Sequence, residues 1–479
     1  MSTELSELLP GRVTDDRWER AAYGRDLAVV PPFLGKLLNL QTLPDLVVRP
    51  VNASEAAAAV RYAAERRLPV VPRGGGASAF YNSVPVRGGI SLDLSGLRGE
   101  FALDEDKGTV TIGAGWRWGM LDAKLRQRGW AVKSYPSSAP AATTGGWFNM
   151  EGYGIGSLEY GSLASQTKKI EVVLADASIR EATAGSEPAL GWFAGSDGTL
   201  GITTALTVSV RRAPEAEGHC LIAFDDVDAL AAAQQPAASA TPRPYNVTFH
   251  SKQYFDFLRK LGGEAHDGHI LGIDYEGSWD QVACGHELIA RLAAEFGGTL
   301  LPTEAGAAKW QERFYHMRFK RLGPTLLAAE DLLPVARVSE YLDKIARLSR
   351  ELATSFYSYG TVADSGHINM FTGYRADAAK GLAYIVAMAV TGRLHGTAIA
   401  LGGRPFAVGL WNTPYLAAIY NADELAEQRR RKKQLDPDNL LNPGKHYASP
   451  ALLAPALFRL GTGCASLLQR FTGGERNTT

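Results

Sequence analysis

The chain has 479 residues, more than one hydrophobic core usually serves, and its 46% hydrophobic and 21% charged residues exclude a disordered protein. Lys plus Arg and Asp plus Glu each total 50, so the formal net charge is zero and the basic footprint of a nucleic-acid binder is missing. Cys220, Cys284 and Cys464 are odd in number and far apart, which makes neither a disulfide framework nor a metal knuckle.

The N-terminus carries Glu4 and Glu7 where a secretory leader needs a basic stretch and an apolar run, so a cytoplasmic chain is expected. Leu46 to Val51 reads as a strand, Asn52 and Ser54 as caps for the Ala-rich helix Glu55 to Arg66, and Leu68 to Val71 as the next strand. Strands at Ile90 to Leu94 and Thr109 to Gly113 follow, then a helix from Trp118 to Arg128 and an alternating strand from Thr204 to Val210. From about Glu215 the texture becomes α+β. Strands His219 to Phe224 and His269 to Tyr275 lead into helices Val227 to Gln235 and Trp279 to Phe296, and a long helix, Pro334 to Thr354, precedes strands Ser355 to Val362 and His367 to Phe371. Such pieces assemble into an antiparallel sheet covered by helices, a second domain with its own core. The basic run Arg429 to Lys433 sits in a Glu-rich helical stretch and reads as a solvated helix face. The apolar tail from Ala451 to Phe471 is interrupted by Pro455, Arg459, Gly461 and Gly463, so no transmembrane segment is expected.

Glycine clusters fall in the connections of the first part. Arg73-Gly74-Gly75-Gly76-Ala77-Ser78 follows a strand, and consecutive glycines let backbone amides converge on an anion such as a pyrophosphate. The segment is neither GxxxxGK[ST] nor a GxGxxG opening a helix, so ATP hydrolysis and ordinary NAD binding lose their usual warrant. A second cluster runs from Tyr135 through Pro136, Ser138 and Thr143-Thr144-Gly145-Gly146 to Gly161, alternating hydroxyls with bare backbone. A third, Ala194 to Thr203, repeats that chemistry. Together the clusters suit one long, polar, phosphorylated ligand lying across loops.

The third segment, Ala194-Gly195-Ser196-Asp197-Gly198-Thr199-Leu200-Gly201-Ile202-Thr203, is similar to G-S-E-G-T-L-G-I-[IV]-T, and Gln434 to Lys445 resembles D-P-x-x-[IL]-[LF]-N-P-G-K. With the two earlier turns in this order and spacing, the chain resembles the FAD-linked oxidases of the vanillyl-alcohol oxidase and p-cresol methylhydroxylase (PCMH) superfamily. The branch it is most similar to holds glycolate oxidase flavin subunits, D-lactate dehydrogenases and D-2-hydroxyglutarate dehydrogenases. The resemblance implies an α+β flavoprotein with a bipartite PCMH-type FAD-binding domain and an antiparallel-sheet substrate (cap) domain. Expected bounds are 1–214 for the first, 215–433 for the second, 434–450 for a return to the first, and 451–479 for a tail touching a partner or a membrane surface. It further implies that Arg73, Gly74, Gly75, Gly76, Ala77 and Ser78 wrap the pyrophosphate. Pro136, Ser138, Thr143, Thr144, Gly145, Gly146 and Ser157 would line the flavin and ribityl chain, Ile202 would meet the adenine end, and Asn442 and Lys445 would return from the C-terminus. Relatives that tether flavin do so through a histidine in the first loop or a cysteine near the second; neither is present here, so FAD is expected to be non-covalent.

Oxidising an alcohol beside a carboxylate needs a hydride acceptor, a base for the hydroxyl proton and a cation for the carboxylate. His367, accompanied by Asp364 and Asn369, is the candidate base. Arg313, in Trp310-Gln311-Glu312-Arg313, resembles a family position whose arginine faces the carboxylate, and the fork of an arginine suits that task. Glu330-Asp331 resembles a family motif and reads as the approach to a helix. The hydroxy-acid branch holds a divalent metal with H-x-G-D-G-N-x-H and G-E-H-G; here Thr361 replaces the first histidine and Gly402-Gly403-Arg404 stands in the second motif, so no metal is expected. His367 with Asn369, or Arg404, is then the handle for the substrate hydroxyl. The expected reaction is hydride transfer from a small hydroxylated substrate, a 2-hydroxy acid such as D-lactate or glycolate, to FAD and on to an acceptor other than NAD. The alternatives are a sugar or alcohol oxidase, an alkylglycerone-phosphate-synthase-like enzyme, or an electron-relay subunit that borrows an iron-sulfur partner.

Overall fold

The computed structural model describes residues 2–314, 316–447 and 450–455. The chain divides into two compact units, one of Met1–Gly152, Ser162–Arg212 and Ala407–Pro455, the other of Tyr153–Gly161 and Ala213–Phe406. The first unit therefore resumes at Ala407, ahead of Gln434. The tail from residue 456, where a partner or membrane contact is expected, lies outside the described residues.

The first unit holds a four-stranded sheet, order β1-β2-β4-β3, from β1 (Val13–Thr14), β2 (Leu46–Val48), β3 (Val70–Arg73) and β4 (Ile90–Asp93). Both β2 and β3 run parallel to β4, which requires a crossover between them. The helix Ala53–Glu65 supplies it: Asn52 caps its N-terminus by accepting from the Glu55 amide at 2.8 Å, and Ala56, Ala59, Val60 and Ala63 form its buried stripe. A six-stranded antiparallel sheet is built from β5 (Ala102–Asp104), β6 (Thr109–Gly113), β7 (Trp130–Val132), β8 (Thr167–Val173), β9 (Ile179–Ala182) and β10 (Ile202–Arg212). Its long strand β10 pairs with β6, β7 and β8 and leaves the third glycine segment at its N-terminal end.

The second unit is organised by an eight-stranded sheet, ordered β14-β11-β13-β12-β16-β17-β15-β18. Its strands are β11 (Ala216–Phe224), β12 (Asn246–His250), β13 (His269–Gly277), β14 (Thr299–Leu300), β15 (Thr325–Pro334), β16 (Phe356–Val362), β17 (His367–Ala376) and β18 (Arg404–Pro405). Every pairing is antiparallel, so the period-2 alternation separates two faces. One face carries Ile222, Val247, Ile273, Leu333, Met370 and Val362 into a core with the helices Val227–Ala238, Trp279–Glu295, Val338–Leu352 and Leu382–Ala400. Gly285 allows the second of these helices to lie directly on the sheet, since a Cβ there would meet the Tyr275 ring at 2.6 Å.

Three elements bear on the sequence reading. Glu330 and Asp331 sit inside β15, which Pro334 closes, and the chain passes through the 3-10 turn Val335–Arg337 into the helix at Val338. The helix Leu382–Ala400 is long and apolar enough to cross a membrane by length and composition, yet it packs Tyr384, Ala389, Val390, Leu394 and Ala398 inside the unit. Lys432, read as part of a solvated face, is buried and donates to the carbonyls of Thr199 and Leu441 and to the Asp436 carboxylate at 2.6 Å.

Candidate active site

In the first unit the glycine turns pack on one another without room for side chains. A Cβ on Gly74 would lie 2.2 Å from the Thr143 hydroxyl, and one on Gly75 would lie 1.9 Å from the Ala141 carbonyl oxygen. Gly76 has φ +62, and a Cβ there would meet the Arg73 guanidinium at 2.3 Å. Arg73 is held by donating to the Arg25 carbonyl at 2.8 Å, and burial lowers its pKa. The amides of Gly74 through Ser78 donate to no protein acceptor among the described residues. A run of unengaged amides beside an arginine is a built anion cradle, and it fits the pyrophosphate of a flavin dinucleotide.

Thr143 caps the helix Thr144–Asn149 by accepting from the Gly146 amide at 3.2 Å. Thr144 bonds through its hydroxyl to the carbonyls of Gly113 and Ala114, and a Cβ on Gly145 would lie 2.6 Å from the Ala114 methyl. Pro136 is buried and Ser138 half-buried, with its carbonyl closing the turn to Ala141 and Ala142. Ile202 is buried in the first unit's core. Ser157 belongs to the second unit, is buried, and accepts from the Gly154 amide at 2.9 Å.

The C-terminal segment clasps the turns from behind. Asn442 donates to the carbonyls of Asn82 and Asp197 at 2.8 and 2.7 Å, and Lys445 to the Val84 carbonyl at 2.8 Å. Burial pulls the Lys445 pKa down to about 7 against the attraction of Asp197 and Asp26, while burial pushes Asp26 up to about 6. Asp197, at φ +52 in the third glycine segment, accepts from the Asn82 side-chain amide and from the Gly409 amide at 3.0 Å, with the His446 ring 3.2 Å away. Asn442 and Lys445 thus hold the turns in place with donors already engaged by protein carbonyls.

The second face of the eight-stranded sheet mixes polar side chains with an apolar cluster that includes Leu221, Ile270, Tyr357, Tyr359 and Phe371, and register places its side chains in rows. One row runs Arg404, Leu332, Asn369, Thr361, Thr248, Gly272 and Leu221. The neighbouring row runs Glu330, Phe371, Tyr359, His250 and Ile270. Asn369 donates to Glu330 at 2.8 Å and leaves its own carbonyl oxygen, shielded from solvent, without a partner. Desolvation raises the Glu330 carboxyl to about 7, opposed by the Asn369 hydrogen bond and assisted by Asp331. Asp331 lies on the covered face and takes the buried His395 ring at 2.7 Å. The Arg404 guanidinium has no hydrogen-bond or ion-pair partner among the described residues. Paired strands are neighbours, so Arg404 is diagonal to Glu330 and one strand removed from Asn369 across Leu332.

The structure does not gather all the sequence-derived candidates here. His367 starts β17 on the same face opposite Pro334, half-exposed, with its ring on Asp364 at 3.0 Å. Arg313 is stacked over Trp310 and Phe314 at 4.4 Å from each and donates to the Trp310 carbonyl. The other face of that aromatic cluster involves His219, whose pKa burial lowers but Asp274 and Glu217 raise to about 9. Arg318 is committed to Glu312 through two hydrogen bonds of 2.8 and 2.6 Å. Nothing in the sequence of Thr325–Pro334 sets Glu330 apart, because the segment lacks alternation, and only pairing with β17 decides which side Glu330 takes.

Residues 44–183 match the FAD binding domain family, and residues 213–446 match the C-terminal domain of FAD linked oxidases. The chain is 26% identical over 430 residues to glycolate oxidase subunit GlcD of Bacillus subtilis, covering 86% of this chain and 90% of that protein. It is likewise 26% identical over 424 residues to a D-lactate dehydrogenase of Archaeoglobus fulgidus, covering 84% of this chain and 90% of that one. Its fold matches p-cresol methylhydroxylase with substrate bound at a TM-score of 0.78 and 14% identity, over 94% of this chain and 96% of the other. The two matched domains, the turns that fit FAD and the helix-backed antiparallel sheet agree: the chain has the fold of p-cresol methylhydroxylase and belongs to the FAD-linked oxidases, flavoprotein oxidoreductases acting on CH–OH donors.

Proposed function

We propose that the protein oxidises a 2-hydroxy acid, with Arg404 holding the carboxylate, Asn369 orienting the hydroxyl and Glu330 taking its proton. The observation that carries this reading is the placement, on one sheet face, of an arginine without a protein partner diagonal to a carboxyl group that titrates near neutrality. FAD, held through the amides of Gly74 to Ser78 and the turns around Thr143, accepts the hydride when bound. Arg404 fixes the acid by its guanidinium fork, which aligns the carbinol and neutralises the charge. One N–H of the Asn369 amide keeps Glu330 oriented, and the second donates to the substrate hydroxyl oxygen, which leaves the hydroxyl proton to face Glu330. Glu330 then receives the hydroxyl proton, a role its shielding and raised pKa suit. The branch's metal is unnecessary in this scheme, because Arg404 supplies the positive charge and Thr361 stands where the first metal-binding histidine would be.

The acceptor that would reoxidise the flavin is other than NAD, an iron-sulfur or other electron-acceptor protein, or a quinone, a reading supported by the word subunit in the name of the Bacillus relative. Anaerobic mixing with D-lactate, glycolate and D-2-hydroxyglutarate tests the reading. At least one acid is expected to bleach the flavin, and Arg404→Gln should raise the apparent dissociation constant by about ten- to a hundredfold, the loss of a charge-assisted bond. An intact flavin spectrum with all 2-hydroxy acids ends the proposal.

A further inference from the structure

The row beside Arg404 and Asn369 contains more than the proposed base. Next to Glu330, on the adjacent strand, stands Phe371, followed by Tyr359 and His250. Phe371 lies nearly parallel to Tyr359, with ring centroids 4.9 Å apart and 23° between planes. Tyr359 in turn is stacked on His316 at 4.4 Å and 13°. The three rings form one continuous stack, backed by Tyr254, whose edge meets Tyr359 at 5.8 Å, and by Tyr357 at 6.2 Å from Phe371. Phe371, Tyr359 and His316 all remain partly accessible.

None of these rings carries charge at neutral pH. Burial, with Lys309 and Arg318 adding repulsion, pulls His316 down to about 3, and burial likewise holds His250 well below the ordinary histidine range. The Tyr359 phenol is pushed up by burial. The cations near the stack are engaged by protein partners, Arg318 by Glu312 and Lys309 by the Tyr254 hydroxyl at 3.1 Å. A flat, neutral, aromatic wall therefore begins at the residue beside Glu330. Glycolate and lactate have nothing to lay against it, whereas an aromatic ring one or two carbons from the carbinol stacks there while its carboxylate reaches Arg404.

We infer that the substrate is an aryl-bearing 2-hydroxy acid whose ring stacks on Phe371 at the edge of the Phe371–Tyr359–His316 wall. This deepens, and rests on, the assignment of Arg404, Asn369 and Glu330 to a 2-hydroxy acid. The FAD-loaded enzyme should be reduced by D-3-phenyllactate with a second-order rate constant about ten- to a hundredfold above that for D-lactate, as expected for burying a phenyl group. Phe371→Ala should lower the ratio of the two constants at least tenfold, and Phe371→Leu serves if the alanine variant fails to fold. Binding gives a second readout: calorimetry should find 3-phenylpropionate bound at least tenfold more tightly than propionate, with the difference shrinking in the Phe371 variant. Equal or better reduction by D-lactate overturns the inference while leaving the hydroxy-acid assignment standing. A phenyl preference that survives both Phe371 variants overturns it as well. Failure of every 2-hydroxy acid to reduce the flavin removes the assignment and this inference with it.

Discussion

Glu330 and His367 are both capable of taking a proton, and their surroundings separate them. His367 is half-exposed and turns its ring to Asp364, whereas Glu330 is desolvated, shares a hydrogen bond with Asn369 and titrates at about 7. A base works when deprotonated, so the second-order rate of flavin reduction should climb as pH rises through about 7 and level off above it. Glu330→Gln should remove that limb and slow reduction by about two to four orders of magnitude, with substrate binding little changed. His367→Ala should leave the limb in place. Stopped-flow reduction across pH 5 to 9 decides the matter, and a limb lost with His367 rather than Glu330 would return the base to the histidine.

At the scale of elements, strand β15 and the glycine turns teach different lessons. The sequence of β15, Thr-Leu-Leu-Ala-Ala-Glu-Asp-Leu-Leu-Pro, is largely apolar on both faces because one side meets the helix-backed core and the other a second, partly covered aromatic cluster. No alternation survives for a reader of the sequence to find. The turns are the opposite case, since their glycines announce themselves; what only the packing supplies is the reason each is needed. Gly75→Ala would drive a methyl into the Ala141 carbonyl, 1.9 Å from the ideal Cβ, and the second turn must shift. FAD binding should weaken by about tenfold or more. Gly185→Ala, with nothing within 4 Å of its Cβ, is the matched control and should bind FAD as the parent does. Fluorescence titration of the apoprotein measures both.

For the molecule as a whole, a ligand that binds only the folded chain adds to its stability. The first cradle residues Gly76, Ala77 and Ser78 offer no nucleophile of the kind that tethers flavin, and His446 is engaged by the Gly195 carbonyl at 2.7 Å. We therefore expect denaturation to release all flavin into the supernatant, with none remaining on the precipitated chain. A dissociable ligand also stabilises by mass action, about 2.7 kcal/mol at a hundredfold excess over its dissociation constant. Added FAD should raise the thermal midpoint in a concentration-dependent way, and a midpoint indifferent to FAD would contradict reversible binding.

The cofactor half of this protein is legible in its sequence, because its chemistry is carried by backbone. Glycine is the one residue that permits the close approaches at Gly74 and Gly75 and the φ of Gly76, so its position is itself the signal. The helix caps at Asn52 and Ser278 and the apolar spacings behind them are equally local, and they mark the helices within a few residues of their observed bounds. The substrate face is another matter. Arg404, Asn369, Glu330 and Phe371 are spread over three strands, and their adjacency arises from the antiparallel register of β17, β15 and β18. Lys432 makes the same point within a basic run, where four neighbours give no hint that one ammonium is buried among carbonyls. Local backbone demands are written in residue type, whereas the company a side chain keeps is set by which strand pairs with which, and that is decided only when the sheet has formed.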